Sequence, residues 1–246
     1  MGGATELIGG REGEFAVHVA SPHSNSVGAI IVLQEMFGVN AFMRRTVAAL
    51  ADQGYLAACP DLYWRQSPGE DLSDGNPSEI EHALALLEAL DQEAALRDIA
   101  DTCSYLRARI GAAGKIGAIG YCLGGTLAYL SVVRSLVDCG VSYYGSGIHN
   151  YLDQRDAIER PLLLHVPDRD RTAPADAADR IAETFANHPY VQVCVYEGLD
   201  HAFARTGTQY FRYVPDAADL ANKRTAAFLS EQLAARNERY DRIHQS

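Results

Sequence analysis

The chain has 246 residues, of which 48% are hydrophobic and 22% charged, and its formal net charge at pH 7 is -11. This composition is typical of a globular protein that buries a sizeable core, either as one large α/β domain or as two small domains. The negative charge argues against nucleic acid or an anionic membrane as a partner, because both would repel the chain.

The cysteines and the N-terminal segment predict the cellular location of the protein. The five cysteines are widely spaced and form no CxxC pair, which predicts reduced thiols in the cytoplasm rather than a disulfide framework or a zinc site. The segment MGGATELIGGREGE has no basic region and no apolar core, so we expect no signal peptide. We likewise expect no membrane span, because no uninterrupted apolar run approaches roughly 18 residues.

Strand-like and helical segments alternate along the first half of the chain. Asn40 is a predicted helix cap and Gly54 a predicted helix stop, and Pro60 is expected to end a strand. Turn-forming residues predict a long loop over 64–78. In chain order we predict strands at 15–20 and 29–33, a helix at 41–53, a strand at 55–59, and helices at 79–90 and 93–109.

The alternation continues in the second half. In chain order we predict a strand at 116–119, a helix at 123–135, strands at 140–144 and 161–166, a helix at 175–187, a strand at 191–196, and a helix from about 216 to 236. This order predicts one α/β domain over 1–246, with its core at about 14–235 and a mostly parallel sheet covered by helices on both faces. Ligands of such sheets bind at the carboxyl ends of the strands, so the loops that follow strands are candidate sites.

Three of these loops carry residues suited to nucleophilic catalysis. Cys122 follows a strand within GYCLGG, at the start of a helix whose N-terminus favours thiolate. Asp168 or Asp170 follows a second strand, and His201 follows a third. The order nucleophile, acid, histidine is that of α/β-hydrolases, in which the histidine acts as general base and the acid orients it.

Each of these residues also has a structural interpretation. A lone GxCxG is more often a tight turn around a buried, inert cysteine, and a lone loop histidine or aspartate is usually solvated surface. The conjunction of three residue types in three such loops, in this order, favours catalysis. Glu35 follows another strand, in the loop that supplies an oxyanion-hole amide in α/β-hydrolases; it could equally be a surface acid.

Five segments together resemble bacterial dienelactone hydrolases, over roughly residues 14 to 229. They are QEMFGVNAFMR (34–44), CPDLYWRQSPG (59–69), GYCLGGTLAYL (120–130), SYYGSG (142–147) and DHAFART (200–206). The resemblance implies a single-domain α/β-hydrolase fold without cofactor or metal. It also implies hydrolysis of 4-carboxymethylene-but-2-en-4-olide (dienelactone) to maleylacetate during aromatic catabolism.

The resemblance also implies site residues. The nucleophile falls on Cys122 and the general base on His201, and the position of His165 selects Asp170 over Asp168 as the triad acid. Glu35 is expected to hydrogen-bond the resting thiol and to help generate thiolate. The implied oxyanion donors are the amides of Leu123 and Met36, and the implied substrate-binding residues include Arg205, for a carboxylate, and Tyr144.

One position departs from the family pattern. Aligning LDQE (90–93) without gaps places Ile80 where the family has a second carboxylate-binding arginine, and Leu84 and Leu87 at neighbouring aromatic positions. Isoleucine cannot supply the charge-assisted, bidentate contact of an arginine. We therefore expect a more apolar pocket, and the exact substrate stays open.

Two other functions remain possible from the sequence. One is a broader carboxylesterase or thioesterase with the same triad, and the other is a non-catalytic ligand-binding or thiol-sensing member of the family. We expect a small lactone or ester as the only partner, and a monomer or weak dimer.

Overall fold

A computed structural model describes residues 3–234, and an eight-stranded sheet lies at its centre. The strands are β1 Ala4–Gly10, β2 Gly13–Ala20, β3 Ala29–Leu33, β4 Leu56–Pro60, β5 Ile116–Tyr121, β6 Cys139–Tyr143, β7 Leu162–Pro167 and β8 Val191–Tyr196. They lie in the order β1-β2-β4-β3-β5-β6-β7-β8. Strand β2 is antiparallel to β1 and β4, and the other pairs are parallel. The predicted mostly parallel sheet is confirmed.

Helices cover both faces of this sheet. They are α1 Ala41–Asp52, α2 Pro77–Glu88, α3 Gln92–Ile110, α4 Leu123–Val133, α5 Ala177–Phe185 and α6 Pro215–Leu233, with 3-10 turns at Ile148–Asn150 and Leu152–Ala157. The α/β-hydrolase fold class predicted from the sequence is therefore confirmed.

Strand β3 shows why the sequence forms two cores. All five of its residues are buried, and successive side chains of a strand point to opposite faces. Ile31 belongs to the core that contains Leu127 of α4, whereas Ile30 belongs to the core that contains Val47 of α1. A continuous apolar run is thus the pattern of a strand buried on both sides.

Most observed elements differ from the predicted ones by one or two residues at an end, and one strand is missed. Strand β1 is missed, because it is an edge strand in which Ile8 alone is buried and Leu7 is exposed. Pro60 is the last residue of β4 instead of lying beyond it, and it pairs with Val17 of β2. Helix α6 ends at Leu233, and the predicted extension to residue 236 reaches outside the described residues.

Within residues 3–234 no helix is long and apolar enough to cross a membrane. The same residues contain no group of three or more His, Cys, Asp or Glu side chains placed to hold a metal ion.

Candidate active site

A sharp turn between β5 and α4 presents Cys122. The residue has φ 55° and ψ -117°, a strained conformation for a side chain other than glycine. A Cβ atom on Gly120 would overlap the carbonyl oxygen of Gly124, and one on Gly124 would overlap the carbonyl oxygen of Leu33. The spacing GxCxG is therefore required by the close approach of backbone to backbone.

The loops after β7 and β8 bring Asp170 and His201 together. Asp170 Oδ2 lies 2.8 Å from His201 Nδ1, and His201 is 2% exposed. Thr172 supports the aspartate, because its hydroxyl and its amide both donate to Asp170 Oδ1, at 2.6 and 2.8 Å. With Nδ1 engaged by the carboxylate, Nε2 is the nitrogen available to exchange a proton with a substrate or nucleophile.

The charges of this cluster favour an ionised histidine. Burial lowers the pKa of His201, but its interactions with Cys122 and Asp170 outweigh burial and raise that pKa to about 10. Burial raises the pKa of Asp170, yet the hydrogen bonds from His201 and Thr172 bring it below its ordinary value. Asp170 and His201 thus stabilise each other's charged form.

The other four cysteines lie in different surroundings. Cys122 is half-buried, whereas Cys59, Cys103, Cys139 and Cys194 are buried. Burial raises the pKa of Cys103 and of Cys139 to about 12, and it also raises those of Cys59 and Cys194. A buried thiol of raised pKa is a poor nucleophile, since thiolate is the reactive form.

Glu35 lies in the loop after β3 and pairs with an arginine. Its Oε2 accepts from Arg205 Nε at 2.6 Å, and both side chains are almost fully buried. The expected hydrogen bond, donated by the thiol to Glu35, is absent among the bonds of residues 3–234, where the neighbour of Cys122 Sγ is Ser146 Oγ, at 3.3 Å. Burial raises the pKa of Glu35, and the guanidinium opposes that shift.

A second buried carboxylate holds the other side of Arg205. Asp74 Oδ2 accepts from Arg205 Nη1 at 3.0 Å and from the Thr208 hydroxyl at 2.6 Å. It also accepts from the amides of Gln209 and Tyr210. Asp74 therefore fastens the loop before α2 to the loop after β8, a role that no motif in its segment indicates.

A cavity of about 400 Å³ opens beside Cys122. Its polar lining includes Glu35, Cys122, Ser146, His201 and Arg205, and its apolar lining includes Met36, Phe37, Ile80, Leu84, Leu87 and Phe211. Ile80, Leu84 and Leu87 come from α2, so the predicted apolar wall stands where the sequence placed it.

Tyr144 does not line this cavity. It is 1% exposed, and its ring packs against His201 with 5.0 Å between ring centroids. Burial raises the pKa of its hydroxyl well above the ordinary value. The ring packs in the core beside the histidine, and the role of Tyr144 in substrate binding stays a prediction.

The two predicted oxyanion donors lie on adjacent strand ends. Met36 follows β3 and Leu123 begins α4 after β5, and these strands pair as far as Leu33 and Gly120. Neither amide takes part in the hydrogen bonds found within residues 3–234. Their role as oxyanion donors stays a prediction.

Several cavity residues were missed from the sequence. Ser146 lies within SYYGSG, and Arg171 and Thr172 directly follow Asp170. Tyr210 and Phe211 are adjacent aromatic residues in the loop after DHAFART. These residues could have been found from their position directly after the site motifs. No motif near Asp74 indicates its role.

Comparison with known proteins agrees with the fold and the motifs. The family model described as "Dienelactone hydrolase family" matches residues 15–233. The chain is 43% identical over 216 residues to a carboxymethylenebutenolidase of Pseudomonas putida, covering 88% of this chain and 91% of the relative. It is 35% identical over 225 residues to carboxymethylenebutenolidase 1 of Cupriavidus pinatubonensis, covering 92% and 95%.

A solved structure extends the likeness of the fold. A Klebsiella pneumoniae protein, provisionally called a dienelactone hydrolase, superposes with a TM-score of 0.78 at 22% identity, covering 92% of this chain and 97% of that one. At this identity the likeness concerns the fold alone. On the family match and the two relatives, the chain belongs to the dienelactone hydrolase family.

Proposed function

We propose that the protein opens a lactone or enol ester of the dienelactone type through a Cys122–His201–Asp170 triad and a thioester intermediate. The observation that carries the proposal is the hydrogen bond of His201 with Asp170 at a cavity that both Cys122 and His201 line. As a member of its family, with relatives named carboxymethylenebutenolidases, the chain is a hydrolase acting on lactone or ester bonds.

The proposed reaction has two halves. The Cys122 thiolate attacks the lactone carbonyl, and the amides of Leu123 and Met36 hold the oxyanion. Collapse of this intermediate breaks the ring C–O bond, releasing an enolate on the same molecule and leaving a thioester. The enolate takes the proton of the His201 imidazolium, which leaves a neutral imidazole. His201 then takes a proton from water, the resulting hydroxide attacks the thioester, and the thiolate leaves with the electron pair of the C–S bond, which restores the thiolate and the imidazolium.

Asp170 and Glu35 have supporting roles in this proposal. Asp170 holds the His201 tautomer and stabilises the imidazolium. Glu35 is proposed to help generate the thiolate by passing the proton of the resting thiol to His201, which then holds it as imidazolium. In its ion pair with Arg205, Glu35 is a carboxylate and does not contact the sulfur. Arg205 is proposed to contact the substrate carboxylate with Nη2, which donates to no residue within 3–234.

One observation favours a second candidate, a broader carboxylesterase or thioesterase. Ile80, Leu84 and Leu87 make one wall of the cavity apolar, and Arg205 already faces two carboxylates. Such a site accepts neutral esters more readily than a small dianion. The triad chemistry is the same in both cases.

A steady-state panel separates these candidates. We expect a higher kcat/KM for cis- or trans-dienelactone than for neutral aryl esters of similar size. A strong preference for the neutral esters would exclude dienelactone as the substrate and leave the hydrolase. We also propose a cytoplasmic location, on the evidence of five free thiols, and a monomer or weak dimer.

A further inference from the structure

Arg171 lies at the mouth of the cavity, directly after the proposed triad acid. Its side chain is 50% exposed and forms part of the cavity lining. Its Cζ lies 4.9 Å from the ring centroid of Phe211 and 5.5 Å from that of Tyr210. Stacking on two aromatic faces orients a guanidinium and reduces the conformational entropy lost when it binds a ligand.

Within residues 3–234, the hydrogen bonds of Arg171 engage only one of the five N–H donors of its guanidinium. Nε donates to Asp200 Oδ2 at 2.6 Å, whereas Nη1 and Nη2 donate to no residue in the described range 3–234. Asp200 also accepts from the amides of Arg171 and His201, at 3.0 and 2.7 Å. The guanidinium is therefore fixed at one edge, and its other donors remain available to a carboxylate.

Arg205, the other arginine of the cavity, differs from Arg171 in its burial and in its ion pairs. It is 5% exposed and pairs with Glu35 and Asp74. Two carboxylates beside one guanidinium give this group of side chains a net negative charge, which weakens its attraction for a substrate anion. On the facing helix, Ile80 provides no charge at all.

We propose that Arg171, stacked on Tyr210 and Phe211, forms a second carboxylate-binding subsite at the cavity mouth. The ligand class is an ester or lactone that has an apolar body and a carboxylate at the end remote from the reacting carbonyl. The apolar body lies along Ile80, Leu84 and Leu87, and Nη1 and Nη2 bind the carboxylate. This inference rests on the proposed function, in that the cavity is taken as the ester site.

Matched esters test the subsite. The substrates are 4-nitrophenyl hydrogen glutarate and its methyl ester, which differ in the free carboxylate. For Arg171→Gln we expect the ratio of their kcat/KM values to fall about tenfold to hundredfold, mainly through KM, because a charge-assisted bidentate contact is lost. Arg171→Lys should recover part of the ratio, since it keeps the charge and loses the fork.

Arg169→Gln is the control for overall charge. It removes the same charge two residues away, from a side chain that is 77% exposed and absent from the cavity lining. We expect it to change the ratio less than about twofold, because exposed charges are screened. An unchanged ratio in Arg171→Gln, or an equal change in both variants, would overturn the proposal.

A binding measurement separates this proposal from the catalytic one. Calorimetry on the Cys122→Ala protein compares 4-phenylbutanoate with 4-phenylbutanamide, neither of which is hydrolysed by this route. We expect the carboxylate to bind about tenfold more tightly, and adding Arg171→Gln should abolish that difference. Equal binding of the carboxylate and the amide would overturn the subsite, even if the parent protein hydrolyses esters. Tighter binding of the carboxylate would support the subsite, even if the parent protein hydrolyses no ester.

Discussion

At the scale of single residues, the site depends on neighbours that set the charge of His201 and the accessibility of Cys122. His201 Nδ1 contacts the Asp170 carboxylate, and His201 lines the same cavity as Cys122. Ser146 contacts the sulfur from a third element, the loop after β6. From these contacts we predict the order in which the thiols are alkylated and the change in the pKa of His201 when Cys122 is replaced.

The first concerns selective alkylation. With about one equivalent of iodoacetamide at neutral pH, we expect Cys122 to react before the other cysteines, because it is partly exposed while they are buried. Peptide mass mapping measures the order of labelling, and the urea-unfolded protein, in which all five thiols are accessible, is the control. Earlier labelling of any other cysteine would count against Cys122 and would favour a non-catalytic role.

The second concerns the protonation of His201. In Cys122→Ala the interaction with the sulfur that raises the pKa of His201 is gone, so that pKa should fall from about 10 in the parent. An NMR titration of the imidazole carbons measures both proteins. If the two titrations of His201 coincide, Cys122 does not raise the pKa of His201.

At the scale of elements, the turn from β5 to α4 packs closely against the end of β3 because Gly124 has no side chain. The proposed oxyanion amides belong to these two segments, so their separation depends on Gly124 packing against the carbonyl of Leu33. The register of β3 with β5, Leu33 opposite Gly120, brings the segments side by side. The turn is therefore a structural requirement of the site as well as of the sheet.

Gly124→Ala tests that requirement. The added methyl group must displace backbone, so we expect the free energy of unfolding to fall by about 2–4 kcal/mol and kcat to fall with it. Urea denaturation and steady-state kinetics measure the two effects. Gly9→Ala is the control, because a Cβ there meets nothing within 4 Å and should change stability by less than about 1 kcal/mol. Equal effects of the two substitutions would exclude the packing argument.

The elements were predictable from the sequence where their signal is local. Asn40 does cap α1, accepting from the amides of Phe42 and Met43, and the apolar run of β3 has the predicted bounds. Strand β1 was not predictable in this way, since an exposed edge strand has little hydrophobic pattern. Its pairing with β2 decides its conformation.

At the scale of the whole molecule, the site forms where four strands end at the same edge of the sheet. The loops after β3, β5, β7 and β8 provide Glu35, Cys122, Asp170 and His201, and that much follows from strand order and motif. The contacts between the loops cannot be predicted from strand order and motif. Asp74 meets residues more than 130 positions away, and Arg171 meets the Tyr210–Phe211 pair, so only the folded chain reveals the cavity mouth.

The central claim is that Cys122 is the nucleophile of this hydrolase. The most direct measurement is kcat/KM of Cys122→Ala on trans-dienelactone relative to the parent, with Cys103→Ala as a control because that thiol is buried in α3. We expect Cys122→Ala to lose at least about a thousandfold, as removal of a triad nucleophile does, and Cys103→Ala to stay near the parental value. Activity of Cys122→Ala within about tenfold of the parent would contradict the claim.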